Sequence, residues 1–314
     1  MRIFFTIIAL SLAILSAEAV RAETVVASRT IEVEGLKLFY REAGSPSRPT
    51  LILLHGNPSS SFMFRELIPR LAAHFHVLAP DYPGYGYSDR PPLAAYDYSF
   101  DHLARTMDGF AQKVGAKRYI LYMQDYGGPV GFRLALAHPE RVDGIIVQNA
   151  NAYLEGLNPE WREALEKQNR EGVPPKPPAP ESVTSFEDNL KWIAPMYLTG
   201  ARDPETMARD GYSFDAAMLS RPGQDPIQDA LDADYHTNLA RYPAWQDWLR
   251  TRHPPTLILW GDGDKIFGVE GAKAYKRDVP EARIRLFRGG HFMLEEYSPE
   301  VAAEIIRMFA HLRS

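Results

Sequence analysis

YILYMQDYGGPVGFRLA (residues 119–135) passes from an unbroken apolar run through a tight turn into a helix-forming stretch. The opening residues are apolar at successive positions, as in a strand buried on both faces. A strained strand-to-helix turn of this kind lifts one side chain above a sheet, and it needs small residues around the apex. Here the apex is Asp125, and Gly127 and Gly128 supply the small residues after it. Two residues before the apex stands Met123, so the strict G-x-S-x-G pattern fails at that point. An aspartate in a turn can also simply bond its own backbone, so the reading depends on the rest of the chain.

Outward from this stretch, short aliphatic runs alternate with helix-length segments, the pattern of a mostly parallel sheet covered by helices. Strands are expected at 30–33, 37–41, 50–54, 76–79, 119–123, 144–148, 256–260 and 283–287. The first two read as an antiparallel pair turning at Glu34-Gly35. Helices are expected at 65–73, 100–114, 129–137, 269–277 and 299–312. Between residues 151 and 252 the strand rhythm stops, and helical stretches rich in Trp and Tyr surround the proline run GVPPKPPAP (residues 172–180). Five prolines in seven residues fit a polyproline-like connector. The fold class expected is therefore α/β: an eight-stranded, mostly parallel sheet formed by 23–150 and 253–314, with a helical cap inserted at 151–252.

The 314 residues are 45% hydrophobic, enough for a large core, and the formal net charge of −5 offers no basic stripe for nucleic acid. Cysteine is absent, which rules out disulfides and thiol chemistry. The N-terminus has the three-part form of a secretory signal: Met1-Arg2, the apolar run IFFTIIALSLAIL (residues 3–15), then small-residue exits at 17–19 and 20–22. That run is shorter than the roughly 18–20 apolar residues of a membrane span. Cleavage before Glu23 and a periplasmic or secreted mature protein are the expectation.

Two further turns carry chemistry. LLHGNPSSSFMFR (residues 53–65) follows the third strand, and its His-Gly-x-Pro turn sets the backbone N–H of Asn57 opposite that of Tyr126, two donors suited to an oxyanion hole. Near the C-terminus, GGHFMLEE places His291 after the last strand, a setting that no other of the nine histidines shares. WGDGD offers Asp262 and Asp264 at the end of the seventh strand. An acid there would fix the tautomer of His291, and Asp264, later in the loop, is the one assigned. No cluster has metal-ligand spacing, and no cofactor is expected.

The ordered set HGNP, QDYGG, WGDGD and GGHFMLEE resembles the α/β-hydrolase superfamily, and within it the branch of epoxide hydrolases and haloalkane dehalogenases. The match spans nearly all of the expected mature chain and is vague across the cap. The resemblance implies that Asp125 attacks a saturated carbon to form an alkyl ester, which water activated by His291 and Asp264 then hydrolyses. It also implies a small apolar organic substrate and water as the partners.

The leaving group divides the branch. Epoxide hydrolases donate a proton from cap tyrosines, and Tyr235 in DADYHTNLARYP sits in similar surroundings; Tyr153, Tyr197 and Tyr212 do not. Haloalkane dehalogenases hold the halide with an Asn at HGNP, which Asn57 matches, and with an indole after the nucleophile. Tyr126 does not match it, and Trp192, Trp245 or Trp248 would have to substitute. Epoxide hydrolases more commonly have an aromatic residue at the Asn57 position, so each reading carries one departure. Epoxide hydrolysis is the leading expectation and haloalkane dehalogenation the alternative. A non-hydrolytic binding protein or cofactor-free oxygenase on the same fold is the reading from a different class.

Overall fold

The computed structural model describes residues 25–172 and 183–312. The signal segment read at 1–22 lies outside them, as does all but Gly172 of the proline run. Eight strands form one sheet: β1 (Ala27–Val33), β2 (Leu36–Ala43), β3 (Thr50–Leu54), β4 (His76–Pro80), β5 (Tyr119–Gln124), β6 (Val142–Gln148), β7 (Thr256–Gly261) and β8 (Arg283–Phe287). Their order is β1-β2-β4-β3-β5-β6-β7-β8, antiparallel for β1/β2 and β2/β4 and parallel from there on. The first pair turns at Glu34 and Gly35, whose φ values of 52° and 79° give the left-handed backbone that a two-residue hairpin requires.

Helices follow as α1 (Ile68–Leu71), α2 (Phe100–Lys113), α3 (Gly127–Ala137), α4 (Pro159–Glu171), α5 (Phe186–Leu198), α6 (Asp210–Leu219), α7 (Gln224–Asp234), α8 (Thr237–Arg252), α9 (Val269–Ala274) and α10 (Leu294–Phe309). Five of these, α4 to α8, stand between β6 and β7, where the strand rhythm of the sequence stops. Their starts carry ordinary caps: the Asn158 side chain accepts from Glu160 N–H ahead of Pro159, and the Ser185 hydroxyl accepts from Asp188 N–H. Among the described residues no helix is long and apolar enough to cross a membrane.

Strand alternation divides the core in two. Ile52, Leu54, Leu121 and Met123 face one apolar cluster with α2 and α3, while Leu51, Leu53, Ile120 and Tyr122 face another with α1 and α10. Both faces of β3 and β5 are thus buried, and that is why their sequences are apolar throughout.

Two helices depart from expectation. The stretch 65–73 holds only the four residues of α1, preceded by a 3-10 turn at Ser61–Phe64 whose start is capped by the Ser60 hydroxyl. The last helix begins at Leu294 and bends at Tyr297, where φ is −126°, two residues before Pro299. A proline inside a helix removes one N–H donor and crowds the preceding turn, so two short helical runs join at a bend.

Candidate active site

β5 ends at Gln124, and the chain turns into α3 through Asp125, whose φ of 50° is left-handed and strained for a residue with a Cβ. Hydrogen bonds hold the turn: Asp125 N–H donates to Asn149 O at 3.3 Å, and Gly128 N–H donates to Asp125 O at 2.9 Å. Glycine is needed at 127 because a Cβ there would lie 2.3 Å from Leu54 O. The departure at Met123 is absorbed further along, at Gly131, whose missing side chain leaves room for the thioether.

The Asp125 carboxylate is buried. Its Oδ1 accepts from Asn57 N–H at 2.7 Å, and the Tyr126 N–H donates to the same carboxylate. The two N–H groups expected to face one another therefore converge on Asp125 itself. Burial pushes this carboxyl up to about 6, against the pull of His291 and both N–H donors. The Asn57 turn is fixed by His55, which is fully buried: its Nε2 accepts from Tyr82 N–H at 3.1 Å. Burial drives His55 down to about 3, so it is neutral and structural. The peptide bond Asn57-Pro58 is cis, and the Tyr85 hydroxyl donates to Asn57 Oδ1 at 3.1 Å.

His291, on the loop between β8 and α10, is 1% exposed. Its Nδ1 lies 2.8 Å from Asp264 Oδ2, while its Nε2 faces Asp125 Oδ2 at 3.7 Å. Burial acts to lower this imidazole, but the Asp264 and Asp125 carboxylates outweigh it and leave the histidine raised. Asp264 is held in turn by Ile266 N–H on Oδ1 and by Asn149 Nδ2 on Oδ2, each at 2.7 Å. Asp262 is exposed, with its N–H spent on Phe287 O, and makes no contact with the histidine. Of the two aspartates on that loop, Asp264 is the one that reaches the ring.

Tyr235, just past α7, packs against Tyr126, the residue that follows Asp125. It is 3% exposed, and its ring centroid lies 4.8 Å from Trp161, 5.7 Å from Phe100 and 5.8 Å from Tyr126. Burial, the neighbouring Tyr242 and the Asp125 charge raise its phenol well above the ordinary value, so it stays protonated. The Tyr126 hydroxyl is already given to Asp232 of α7 at 2.6 Å. The other cap aromatics weighed from the sequence point elsewhere. Trp245 stacks on Phe132 of α3 at 5.1 Å with Trp248 edge-on to the same ring, and Trp192 is 48% exposed. Tyr153 donates to Asp278 and Tyr197 to Asp215, and Tyr212 packs on Tyr197.

Several residues at the site were not singled out in the sequence: Gln124, Asn149, Tyr85, Trp161 and Asp232. Gln124 adjoins the quoted apex, and Asn149 follows the sixth strand as Asp125 follows the fifth; strand-end position was the available signal. Tyr85, Trp161 and Asp232 had none. Among the described residues no three His, Cys, Asp or Glu side chains gather as metal ligands would.

Comparison with known proteins finds relatives of this chain. A family model described as alpha/beta hydrolase fold matches residues 49–297. An uncharacterized hydrolase of Saccharomyces cerevisiae is 41% identical over 277 residues, covering 88% of this chain and 94% of its own. Haloalkane dehalogenase 2 of Mycobacterium bovis is 28% identical over 286 residues, covering 90% of this chain and 94% of its own. Among solved structures, an epoxide hydrolase without ligand superimposes with a TM-score of 0.66 over 92% of this chain and 100% of its own, a likeness of fold at 20% identity.

Proposed function

The chain belongs to the alpha/beta hydrolase fold family, and as a hydrolase of that family we propose that it opens epoxides through an ester on Asp125. The geometry suits each step. Oδ1 of Asp125 is held by the Asn57 N–H, which leaves Oδ2 as the attacking atom. Oδ2 forms a bond to one epoxide carbon as the carbon–oxygen bond breaks, and the departing oxygen takes the proton of the Tyr235 hydroxyl. His291 Nε2 then removes a proton from water, and the resulting hydroxide attacks Cγ of the ester. The negative charge gathers on Oδ1, where Asn57 already points its N–H, with the Tyr126 N–H on the same carboxyl group. Collapse of that intermediate releases the diol and restores the carboxylate, and the proton on His291 passes through solvent to the Tyr235 phenolate.

Esterification also removes the Asp125 charge, one of the two that favour protonation of His291. Loss of that charge keeps the base neutral at the stage where water must give up its proton.

The observation that carries the epoxide reading is the seat of Tyr235: a buried, protonated phenol against Tyr126, close enough to feel the charge of Asp125. A haloalkane reading is favoured by Asn57, whose Oδ1 accepts from Tyr85 and whose amide N–H is the end left to meet a halide, and by the likeness to a haloalkane dehalogenase. The test is a mixed panel of epoxides and haloalkanes, with diol formation and halide release read side by side. Diol formation without halide release is the outcome expected. Halide release without diol formation would overturn the epoxide assignment.

A further inference from the structure

We infer that Gln124 is a positioning residue for His291, its amide N–H occupying the Nε2 lone pair so that the ring rests in the neutral, Nδ1-protonated form. The inference rests on the hydrolytic reading for its purpose and on the resting geometry for its evidence. Gln124 is fully buried, and its Nε2 lies 3.0 Å from His291 Nε2. The amide nitrogen is the end of the side chain that faces the ring. Asp264 can only accept from Nδ1, so the neutral ring carries its proton there and presents Nε2 as an acceptor. Gln124 must then offer its N–H end.

Asp125 does not compete for that nitrogen, because 3.7 Å is beyond hydrogen-bond length. A protonated Nε2 would instead meet the Gln124 amide donor to donor. The charged groups facing the ring are Asp264, from the loop after β7, and Asp125, from the turn after β5; Phe267 and Phe292 cover other sides. Both carboxylates draw a proton onto His291, and Gln124 is the one group that opposes them by hydrogen bonding.

The far end of the amide supports this assignment. Gln124 Oε1 is buried without a hydrogen-bond partner, wedged under Gly56, where a Cβ would lie 2.2 Å from it and 2.4 Å from Asp125 Cβ. An unpaired buried acceptor is uncommon and calls for a reason. The amide is fixed for the sake of its N–H end, and Gly56 is bare so that it fits. The consequence is that Asp125 stays free to attack while the base waits unprotonated.

The test is the titration of His291 by NMR of ring-labelled free enzyme, its signal assigned by loss in His291→Gln. Gln124→Glu, which sets a carboxylate beside Nε2, should move the midpoint up by about 1–3 pH units, the span an adjacent opposite charge produces. Gln124→Met, of similar length and uncharged, removes the donor and should move it up by less; it carries the test should Gln124→Glu fold poorly. An unmoved or lowered midpoint in both variants overturns the inference. The titration needs no substrate, so its outcome is separate from whether Asp125 forms an ester. With substrate at pH 7, Gln124→Glu should accumulate an enzyme adduct that clears at alkaline pH. Failure of His291→Gln to form any adduct would count against the ester chemistry alone.

Discussion

The Met123 side chain lies in the space that a side chain on Gly131 would take: a Cβ at 131 would stand 2.3 Å from the Met123 Sδ. The turn carrying Asp125 therefore tolerates a large residue two positions before its apex because α3 gives way one turn later. Gly131→Ala should destabilise the protein by about 1–3 kcal/mol, the usual cost of overpacking a full core. In a denaturant-unfolding cycle with Met123→Ala, the double variant should be less destabilised than the sum of the singles. Strict additivity would mean that the two residues do not share that space.

Asn149 joins the two halves of the site. Its Nδ2 donates to Asp264 Oδ2 at 2.7 Å, its Oδ1 accepts from Gly261 N–H at 3.0 Å, and its backbone O accepts from Asp125 N–H. Asn149→Ala leaves the buried Gly261 N–H unpaired, which should cost on the order of 1–3 kcal/mol in stability. It also loosens Asp264, so turnover should fall more than KM rises. Unchanged melting and unchanged kcat would remove Asn149 from the account.

The pH dependence of the first chemical step follows from Asp125, whose carboxyl is raised to about 6 by burial. Attack needs the ionised form, so activity is present above that value and lost as pH falls through it. In single-turnover measurements the rate of adduct formation should drop about tenfold for each pH unit below the midpoint. A rate that holds level down to pH 4, where a free aspartate would titrate, would contradict the burial argument.

Tyr235 and Asn57 separate the two leaving groups. With an epoxide, Tyr235→Phe removes a donor aimed at developing charge, a loss of about 2.7–4 kcal/mol or roughly a hundred- to thousandfold in rate. Asn57→Ala keeps the backbone donor to Asp125 and should cost much less. Steady-state kinetics on both variants would show the order. Halide release that collapses in Asn57→Ala and survives Tyr235→Phe would reverse the assignment.

Much of this architecture was legible because burial writes itself into composition. β3, β5 and β7 are apolar throughout since both their faces are covered, and Asp125, Asp264 and His291 stand at or just beyond strand ends in the order the topology needs. What stayed hidden depends on long-range packing. Gln124 reaches His291 across 167 positions, and Tyr126 reaches Asp232 across 106. Neither amide nor phenol carries a periodic signal that could have announced the pairing. The short α1 was missed because a Ser60-capped 3-10 turn competes for the same residues.

The measurement that tests the central claim most directly is the intact mass of the His291→Gln variant after incubation with an epoxide substrate, followed by peptide mapping. With the base gone, the ester on Asp125 should form and persist. The protein should gain the full mass of the epoxide, since ring opening loses no atom, and the added mass should map to Asp125; Asp125→Asn should gain nothing at early times. A haloalkane would instead leave its mass less the halogen. A His291→Gln variant that folds, binds the epoxide and stays at its unmodified mass, while the native enzyme turns that epoxide over, would contradict nucleophilic attack by Asp125.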